Sequence, residues 1–148
     1  MDAETLFSWC GRVALVGWIL LIVAPRWRWS APVIAKFVVP TLLAAVYIGV
    51  IATHWSGHRG GFSSLAAVGE LFSDPWLLLA GWVHYLAFDL FVGAWEVRDA
   101  VRERIPHWLV VPCLVLTFLL GPVGFLAYCT CRGLVRLLAR RRAAVAPP

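Results

Sequence analysis

The sequence predicts an all-α integral membrane protein: a four-helix bundle with a short interfacial helix between the second and third spans. Hydrophobic residues make up 61% of the 148-residue chain and charged residues only 14%, which is outside the range of ordinary soluble domains. Four apolar segments are long enough to cross a hydrocarbon core of about 30 Å. Tryptophan, which favours the boundary between hydrocarbon and headgroups, occurs nine times.

The first two spans are predicted at residues 6–24 and 33–52. Pro25 ends the first, and the basic and tryptophan-rich residues that follow are typical of a membrane boundary. Its one charged residue, Arg12, is near enough to the start of the span to extend toward the headgroups. The second span contains Pro40, which predicts a kink because proline removes a backbone hydrogen bond.

The segment between the second and third spans, residues 53–74, is too polar to cross a membrane. Its apolar side chains recur at helical spacing, which predicts a short helix at the interface. Asp74 caps the start of the third span, because aspartate satisfies free backbone amides there and the following Pro75 suits the first turn. This span is predicted at residues 75–96, and its helical pattern can continue to Glu103.

The fourth span is predicted at residues 108–128, after the helix break at Pro106. Within it, Gly121 and Pro122 predict a kink or a local unwinding. The tail, residues 132–148, is basic and amphipathic, and we expect it to lie on the cytoplasmic membrane surface and to bind anionic lipids. All 148 residues then form a single transmembrane domain.

Four spans place both termini on the same side of the membrane. The basic residues divide almost evenly between the two sides, so the dense block of arginines in the tail decides the orientation. We expect a bacterial inner-membrane protein with both termini in the cytoplasm. The basic residues form short clusters between apolar runs, which excludes a nucleic-acid-binding face. The sequence leaves oligomerisation open.

Polar residues of the third span form one stripe in the predicted helix. At about 100° per residue, with His84 at zero, Asp89 lies at about 140°. Glu96 and Asp99 follow at about 120° and about 60°. The four therefore share less than half of the circumference and are expected to face the bundle interior. They are the candidate catalytic residues.

Burial makes the stripe a candidate for function. An ionised aspartate at the bilayer centre costs about 2.5 to 3.5 kcal/mol, so Asp89 requires a partner or a proton. A structural polar lock between helices, which contributes about 0.6 to 2 kcal/mol, is the alternative.

A metal site has weaker support from the sequence. His54 and His58 are four residues apart, but Ser56 and Gly57 between them disfavour the helix that would align the two imidazoles. We therefore predict no metal ligands. The histidines and carboxylates near the third span leave a metal-dependent membrane oxygenase, with iron or manganese, as an alternative. The cofactor remains unidentified from the sequence.

Several motifs continue from the third span into the fourth, and their order is unusual: His84 to Gly93, Trp95, Asp99, Ile105-Pro106-His107, Pro112, Leu116-Thr117 and Gly121-Pro122-Val123-Gly124. With these motifs the sequence resembles the abscisic acid-deficient-four-like family of small four-span membrane proteins. The resemblance covers nearly the whole chain and is strongest over residues 74–128. The plant member that gives the family its name is linked to neoxanthin synthesis.

The resemblance implies that the chain binds or acts on a carotenoid or another isoprenoid lipid. The corresponding reaction isomerises an epoxy-carotenoid to an allenic alcohol, with an acid at the epoxide oxygen and a base at the neighbouring polyene carbon. On chemical grounds, a neutral Asp89 is the candidate acid and His84 the candidate base or tuning partner. The alternative is a non-catalytic pigment-binding, lipid-binding or assembly protein. The candidate substrate-binding residues are Trp82, Tyr85, Phe88, Trp95 and His107.

Overall fold

The computed structural model describes residues 2–25, 30–57 and 59–145. Within these ranges all regular structure is helical, and the predicted all-α membrane fold is confirmed. By length and composition, four helical stretches suit a membrane crossing: Ala3–Val23, Val33–His54, Pro75–Arg102 and Pro122–Arg141.

The first half of the bundle follows the predicted order. Helix α1 spans Ala3–Val23, and a π-helical segment, Ser30–Val38, leads directly into α2, Val39–His54. Pro40, where the sequence predicts a kink, stands in the first turn of α2, next to the change from π-helix to α-helix. The short helix α3, Leu65–Leu71, occupies the predicted place between the second and third spans.

Helix α4, Pro75–Arg102, is the central element and packs against α1, α2 and α5. It begins where predicted: Asp74 Oδ1 accepts hydrogen bonds from the backbone amides of Trp76 at 2.8 Å and Leu77 at 3.2 Å. Beyond the span predicted to end at residue 96, it continues to Arg102, within the stretch over which the sequence pattern allows a helix. Its 28 residues give a length of about 42 Å.

The prediction of one span at residues 108–128 is wrong. Helix α5, His107–Leu120, ends at Gly121, and α6, Pro122–Val145, starts directly afterwards. The φ of Gly121 is +43°, in the left-handed region that glycine adopts without a Cβ penalty. Proline then begins the new helix without a missing hydrogen bond, because first-turn amides are unpaired in any case. The chain thus reverses its direction at Gly121 and Pro122, instead of kinking within one helix.

Helices α5 and α6 form an antiparallel hairpin. Near the turn, a Cβ added to Gly124 would lie 2.0 Å from the Thr117 amide nitrogen, so the two backbones almost touch. Far from the turn, Leu109 of α5 lines the same apolar groove as Leu134 and Val135 of α6. With 14 residues, α5 is only about 21 Å long and is too short to cross the hydrocarbon core alone.

Helix α1 starts and helix α6 ends at opposite ends of the bundle, contrary to the prediction that both termini share a side. Helix α1 starts at the N-terminal end of α4, where the rings of Phe7 and Trp82 are 5.5 Å apart. Helix α6 runs toward the C-terminal end of α4, where Arg136 pairs with Glu103. The prediction treats residues 108–128 as one crossing, but the hairpin returns the chain to the side it came from.

This topology collects basic residues at the C-terminal end of α4. Among arginines whose side chains the structure describes, Arg12 lies near the middle of α1 and Arg59 lies in the loop before α3. The others lie in the last two turns of α4, directly after it, or in α6 from residue 132 onward: Arg98, Arg102, Arg104, Arg132, Arg136, Arg140 and Arg141. The charge asymmetry is therefore much greater than the near-even division that the four-span prediction implies.

Glycines set the close packing of α1 on α4. A Cβ on Gly17 of α1 would lie 2.6 Å from Leu90, and a Cβ on Gly93 of α4 would lie 2.7 Å from Trp18. In each helix a glycine thus packs against a large side chain of the other helix, as is common where membrane helices approach closely. These contacts fix the register of α4, and hence the depth of its polar residues.

Candidate functional site

The carboxylates of α4 form a stripe that faces the α5–α6 hairpin. Asp89, Glu96 and Asp99 lie on this face as predicted, and Tyr85 and Glu103 extend it at either end. At about 100° per residue, the five positions fall within about 80° of one another. We call these five residues the α4 stripe.

Glu96 is the most deeply buried member of the α4 stripe, with 0% of its surface exposed. Its Oε1 atom accepts a hydrogen bond of 2.9 Å from the hydroxyl of the buried Thr117 on α5. Its Oε2 atom is buried and has no hydrogen-bond partner among the described residues. None of the ion pairs found in the described ranges includes Glu96. Such surroundings favour the uncharged acid, because an unpaired buried charge is very costly.

Asp89 lies at the tip of the hairpin. A Cβ added to Gly121 would be 3.1 Å from each of its carboxyl oxygens, so a larger residue at the turn would press on the carboxyl. Its Oδ2 atom is buried without a hydrogen-bond partner in the part of the chain that the structure describes. The Tyr85 hydroxyl, one turn earlier, is within interaction distance of this carboxyl and donates a 3.1 Å hydrogen bond to the Phe118 carbonyl.

The C-terminal end of the α4 stripe is compensated by cations. Asp99 Oδ2 accepts a 2.8 Å hydrogen bond from the Tyr128 hydroxyl and lies 3.0 Å from Arg132 Nε. Glu103 binds Arg136 through both carboxyl oxygens, one of them 2.7 Å from Arg136 Nε. The hydrogen bonds from Arg136 hold the pKa of Glu103 below its usual range. These contacts join α4 to α6, whereas no ion pair in the described part of the chain includes Glu96 or Asp89.

An apolar cleft lies beside the α4 stripe on the N-terminal side of Asp89. The hairpin reaches only the depth of Asp89, which leaves the first half of this α4 face uncovered by α5 and α6. There α1 and α4 enclose a cleft of about 330 Å³ whose lining includes Phe7, Leu78 and Trp82. Leu78 is 55% exposed and Trp82 41% exposed. The Trp82 ring lies 5.3 Å from the Tyr85 ring, and Tyr85 is one helical turn before Asp89.

His84 lies outside the α4 stripe. The prediction of one interior polar face holds for the three carboxylates but is wrong for His84, which is exposed. Its ring stacks on Phe88 with centroids 4.6 Å apart and faces Tyr47 of α2 at 5.9 Å. The five-residue separation from Asp89 turns the two side chains about 140° apart, and the structure does not bring them together as an acid–base pair.

Two of the predicted substrate-binding aromatics, Trp82 and Tyr85, lie on the cleft face. Trp95 instead packs against α6, with its ring 5.6 Å from that of Tyr128. Phe88 lines a separate groove between α2 and α4 that also contains Lys36. The four predicted aromatics are thus divided among three surfaces of the bundle.

His54 and His107 lie apart from the α4 stripe and from each other. His107 Nε2 lies 2.9 Å from the carbonyl oxygen of Ile22, in the last turn of α1, so it ties α5 to the end of α1. His54 stacks on Trp76 at 4.3 Å, and His58 lies outside the described residues. Within the described ranges, no group of three or more metal-ligating side chains occurs. The oxygenase alternative gains no support from this arrangement.

Sequence reasoning missed the residues of the hairpin that contact the α4 stripe. Thr117 and Gly121 stand in the motifs that carry the family resemblance, but nothing in those motifs names their partners. On α6, Tyr128, Arg132 and Arg136 recur every four residues, a helical spacing that matches the spacing of the carboxylates on α4. This matching spacing is the feature of the sequence that could have identified the partners of the carboxylates. It does so only when α6 is known to run alongside α4.

Of three comparisons with known proteins, the one with family models finds a match. The model described as ABA DEFICIENT 4-like matches residues 5–128, a range that holds α1 to α5, the start of α6 and the α4 stripe. The search of curated proteins returned no significant match, and the search of solved structures returned none either. Because the matched range takes in most of the chain, the protein belongs to the ABA DEFICIENT 4-like family.

Proposed function

We propose that this membrane protein binds a carotenoid or related isoprenoid lipid in the cleft beside Trp82 and isomerises its epoxide end group at Asp89. The observation that carries the proposal is the position of Asp89. Its carboxyl lies at the depth of the hairpin tip, two helical turns beyond Trp82 at the inner end of the cleft, and its Oδ2 atom has no hydrogen-bond partner among the described residues. The resemblance to a family whose plant member is linked to neoxanthin synthesis supports the substrate class.

The reaction requires only proton transfer. A neutral Asp89 donates its proton to the epoxide oxygen, and the carbon–oxygen bond next to the polyene breaks. The resulting cation is delocalised over the polyene. The Asp89 carboxylate then removes a proton from the neighbouring polyene carbon, which gives an allene and an alcohol and returns Asp89 to its starting form. One carboxyl performs both transfers, which removes the need for His84 as the base.

The cleft suits a rigid apolar chain. Lipid tails are as apolar as leucine, so a polyene gains little hydrophobic energy on leaving the bilayer. Its affinity comes instead from shape and dispersion contacts, which the rings of Phe7 and Trp82 and the side chain of Leu78 supply. Tyr85, between the cleft and Asp89, is placed to orient the polar end group.

The direct test uses a host that accumulates an epoxy-carotenoid. Wild-type protein is expected to produce an allenic pigment that chromatography resolves. Asp89→Asn is expected to abolish that product, because an amide keeps the shape but cannot donate and recover the proton. Asp74→Asn is the matched control on the same helix, since asparagine caps a helix as well as aspartate does. A wild-type chain that leaves every epoxy-carotenoid unchanged contradicts the proposal.

Non-catalytic pigment or lipid binding is the second candidate. The contacts of Asp99 and Glu103 with α6 favour it, because they show that much of the α4 stripe holds helices together. The absorbance spectrum of protein purified in mild detergent separates the two candidates when it is combined with the pigment assay. Bound pigment without turnover in the wild-type protein indicates the binding role.

A further inference from the structure

We propose that the groove between α2 and α4 binds one anionic phospholipid of the surrounding bilayer, with its phosphate at Lys36 and one acyl chain along the groove. This α2–α4 groove has a volume of about 410 Å³, and its lining includes Phe37, Phe88 and Phe91. It lies on the side of α4 away from Asp89, because positions 89 and 91 are about 160° apart around the helix. The site is therefore independent of the proposed isomerisation.

Lys36 brings a positive charge into the α2–α4 groove without a carboxylate beside it. It lies in the last turn of the π-helical segment. Its Nζ atom is 5.0 Å from the centre of the Phe37 ring and 5.7 Å from that of Phe91. None of the ion pairs in the described ranges includes Lys36. Aromatic faces attract a cation, but they offset only part of the cost of a charge at membrane depth. The groove thus presents an ammonium that is complementary to an anionic group.

The depth of this ammonium matches the phosphate level of a bilayer lipid. A hydrocarbon core about 30 Å thick takes up about 20 helical residues, so a core that starts at the Asp74 cap ends at about residue 95. Phe91, beside which the ammonium lies, is then about one helical turn inside this boundary. A phospholipid has its phosphate at the boundary and its acyl chains directly below it. Both parts of the molecule therefore meet groups of matching polarity.

Two arginines continue the same face of α4 beyond the boundary. At about 100° per residue, Arg98 and Arg102 fall within about 20° of Phe91. Both side chains are exposed, and no ion pair found in the described part of the chain includes either of them. Asp99 and Glu103, by contrast, bind arginines of α6. The α2–α4 groove thus leads from an apolar interior to a basic rim.

This polarity favours an anionic phospholipid over the other lipids of a bilayer. The positive-inside rule places the C-terminal end of α4 in the cytoplasm, and the cytoplasmic leaflet carries anionic lipids that bind basic pockets between transmembrane helices. Lysine binds phosphate as a point charge. The acyl chain contacts the open aromatic wall of the groove, where Phe37 is 56% exposed and Phe88 is 60% exposed. A zwitterionic lipid carries an additional cation, which the basic rim repels.

Native mass spectrometry of the full-length protein tests the site. The protein is released from detergent that contains equal amounts of phosphatidylglycerol and phosphatidylcholine with the same acyl chains. We expect wild-type protein to retain one phosphatidylglycerol preferentially. Lys36→Gln is expected to lower this preference about fivefold, because a lysine near an anionic membrane surface contributes about that factor. Lys36→Arg restores the charge and is expected to keep the preference.

Two further variants separate the site from net charge and from folding. Arg59→Gln removes the same charge from the loop before α3, away from the α2–α4 groove, and is expected to keep the wild-type preference. Ala44→Trp fills the groove and leaves Lys36 in place, so it is expected to lose the retained lipid. It decides the question if Lys36→Gln does not fold.

Three outcomes would overturn the proposal. The first is equal retention of the two lipids by wild-type protein, which would show that the headgroup is not recognised. The second is the same preference in Lys36→Gln as in wild-type protein, which would assign the preference to other cations. The third is full retention of phosphatidylglycerol by Ala44→Trp, which would show that the acyl chain does not occupy the groove.

Discussion

Gly124→Ala is the sharpest test of the hairpin, because the added methyl group has no room. The new Cβ would lie 2.0 Å from the Thr117 amide nitrogen and 2.4 Å from its Cα, and both atoms belong to the backbone of α5. Neither atom can move aside as the end of a flexible side chain can, so the helices must separate. The separation draws Thr117 away from Glu96 and breaks their hydrogen bond.

The expected destabilisation by Gly124→Ala follows from three contributions. Overpacking costs about 1–3 kcal/mol. Loss of an interhelical hydrogen bond in a membrane protein adds about 0.6 kcal/mol. Replacement of glycine by alanine inside a helix stabilises the helix by about 0.5–1 kcal/mol, which offsets part of these two costs. The net expected loss is therefore about 2 kcal/mol.

Gly133→Ala on the same helix is the matched control, since a Cβ at Gly133 meets nothing within 4 Å. It is expected to be neutral or slightly stabilising. Equilibrium unfolding in mixed micelles, followed by tryptophan fluorescence, measures both variants against wild-type protein. Equal stability of Gly124→Ala and Gly133→Ala would refute the packed hairpin and favour a single kinked helix over residues 108–128.

Three further predictions concern topology, charge and the tail. The positive-inside rule places the arginine-rich C-terminal end of α4 in the cytoplasm, so reporter fusions are expected to find the C-terminus inside and the N-terminus outside; both termini on one side would contradict the hairpin topology. Because the pKa of Glu103 is lowered in the folded state, the stability that its ionised form contributes is present above the ordinary pKa of glutamate and is lost as the pH falls through the lowered value. The stability difference between wild-type protein and Glu103→Gln is therefore expected at neutral pH and should vanish in acid, and a difference that persists in acid would point to packing. Removal of residues 140–148 is expected to weaken binding to anionic vesicles in a salt-sensitive way while pigment conversion persists, so loss of conversion from a folded truncation would assign the tail to the site.

Most of the helices were predictable because each local signal agrees with the final packing. Asp74 and Pro75 mark the start of α4 by chemistry that acts within one turn, and the cap forms as expected. Gly121 and Pro122 fit either a kink or a reversal equally well. The choice depends on contact between Gly124 and Thr117, which are brought together only by the reversal itself. No property of a single helix could have predicted it.

The candidate site was predictable to the extent that one helix determines it. Helical angles correctly place Asp89, Glu96 and Asp99 on a common face, because α4 is a regular helix along its whole length. His84 lies at the margin of the predicted stripe, and the packing of α2 decides that its ring faces Tyr47. The partners of the carboxylates lie on α5 and α6, so their identity required the topology of the hairpin.

The α4 stripe divides into a structural part and a functional part. Asp99 and Glu103 bind arginines of α6, and their removal is expected to act mainly on stability. Asp89 and Glu96 each keep one buried oxygen without a hydrogen-bond partner among the described residues, which stability alone does not require. This difference is why the proposed chemistry is assigned to Asp89 rather than to the stripe as a whole.

The central claim, acid–base chemistry at Asp89, is tested most directly by the pigments formed with Asp89→Asn and His84→Gln in a host that supplies an epoxy-carotenoid. Thermal stability in detergent is measured for each variant, so that loss of product is scored only in folded protein. We expect His84→Gln to form the allenic product and folded Asp89→Asn to form none. Product formation by Asp89→Asn would contradict the claim and assign the buried carboxyl to a structural role.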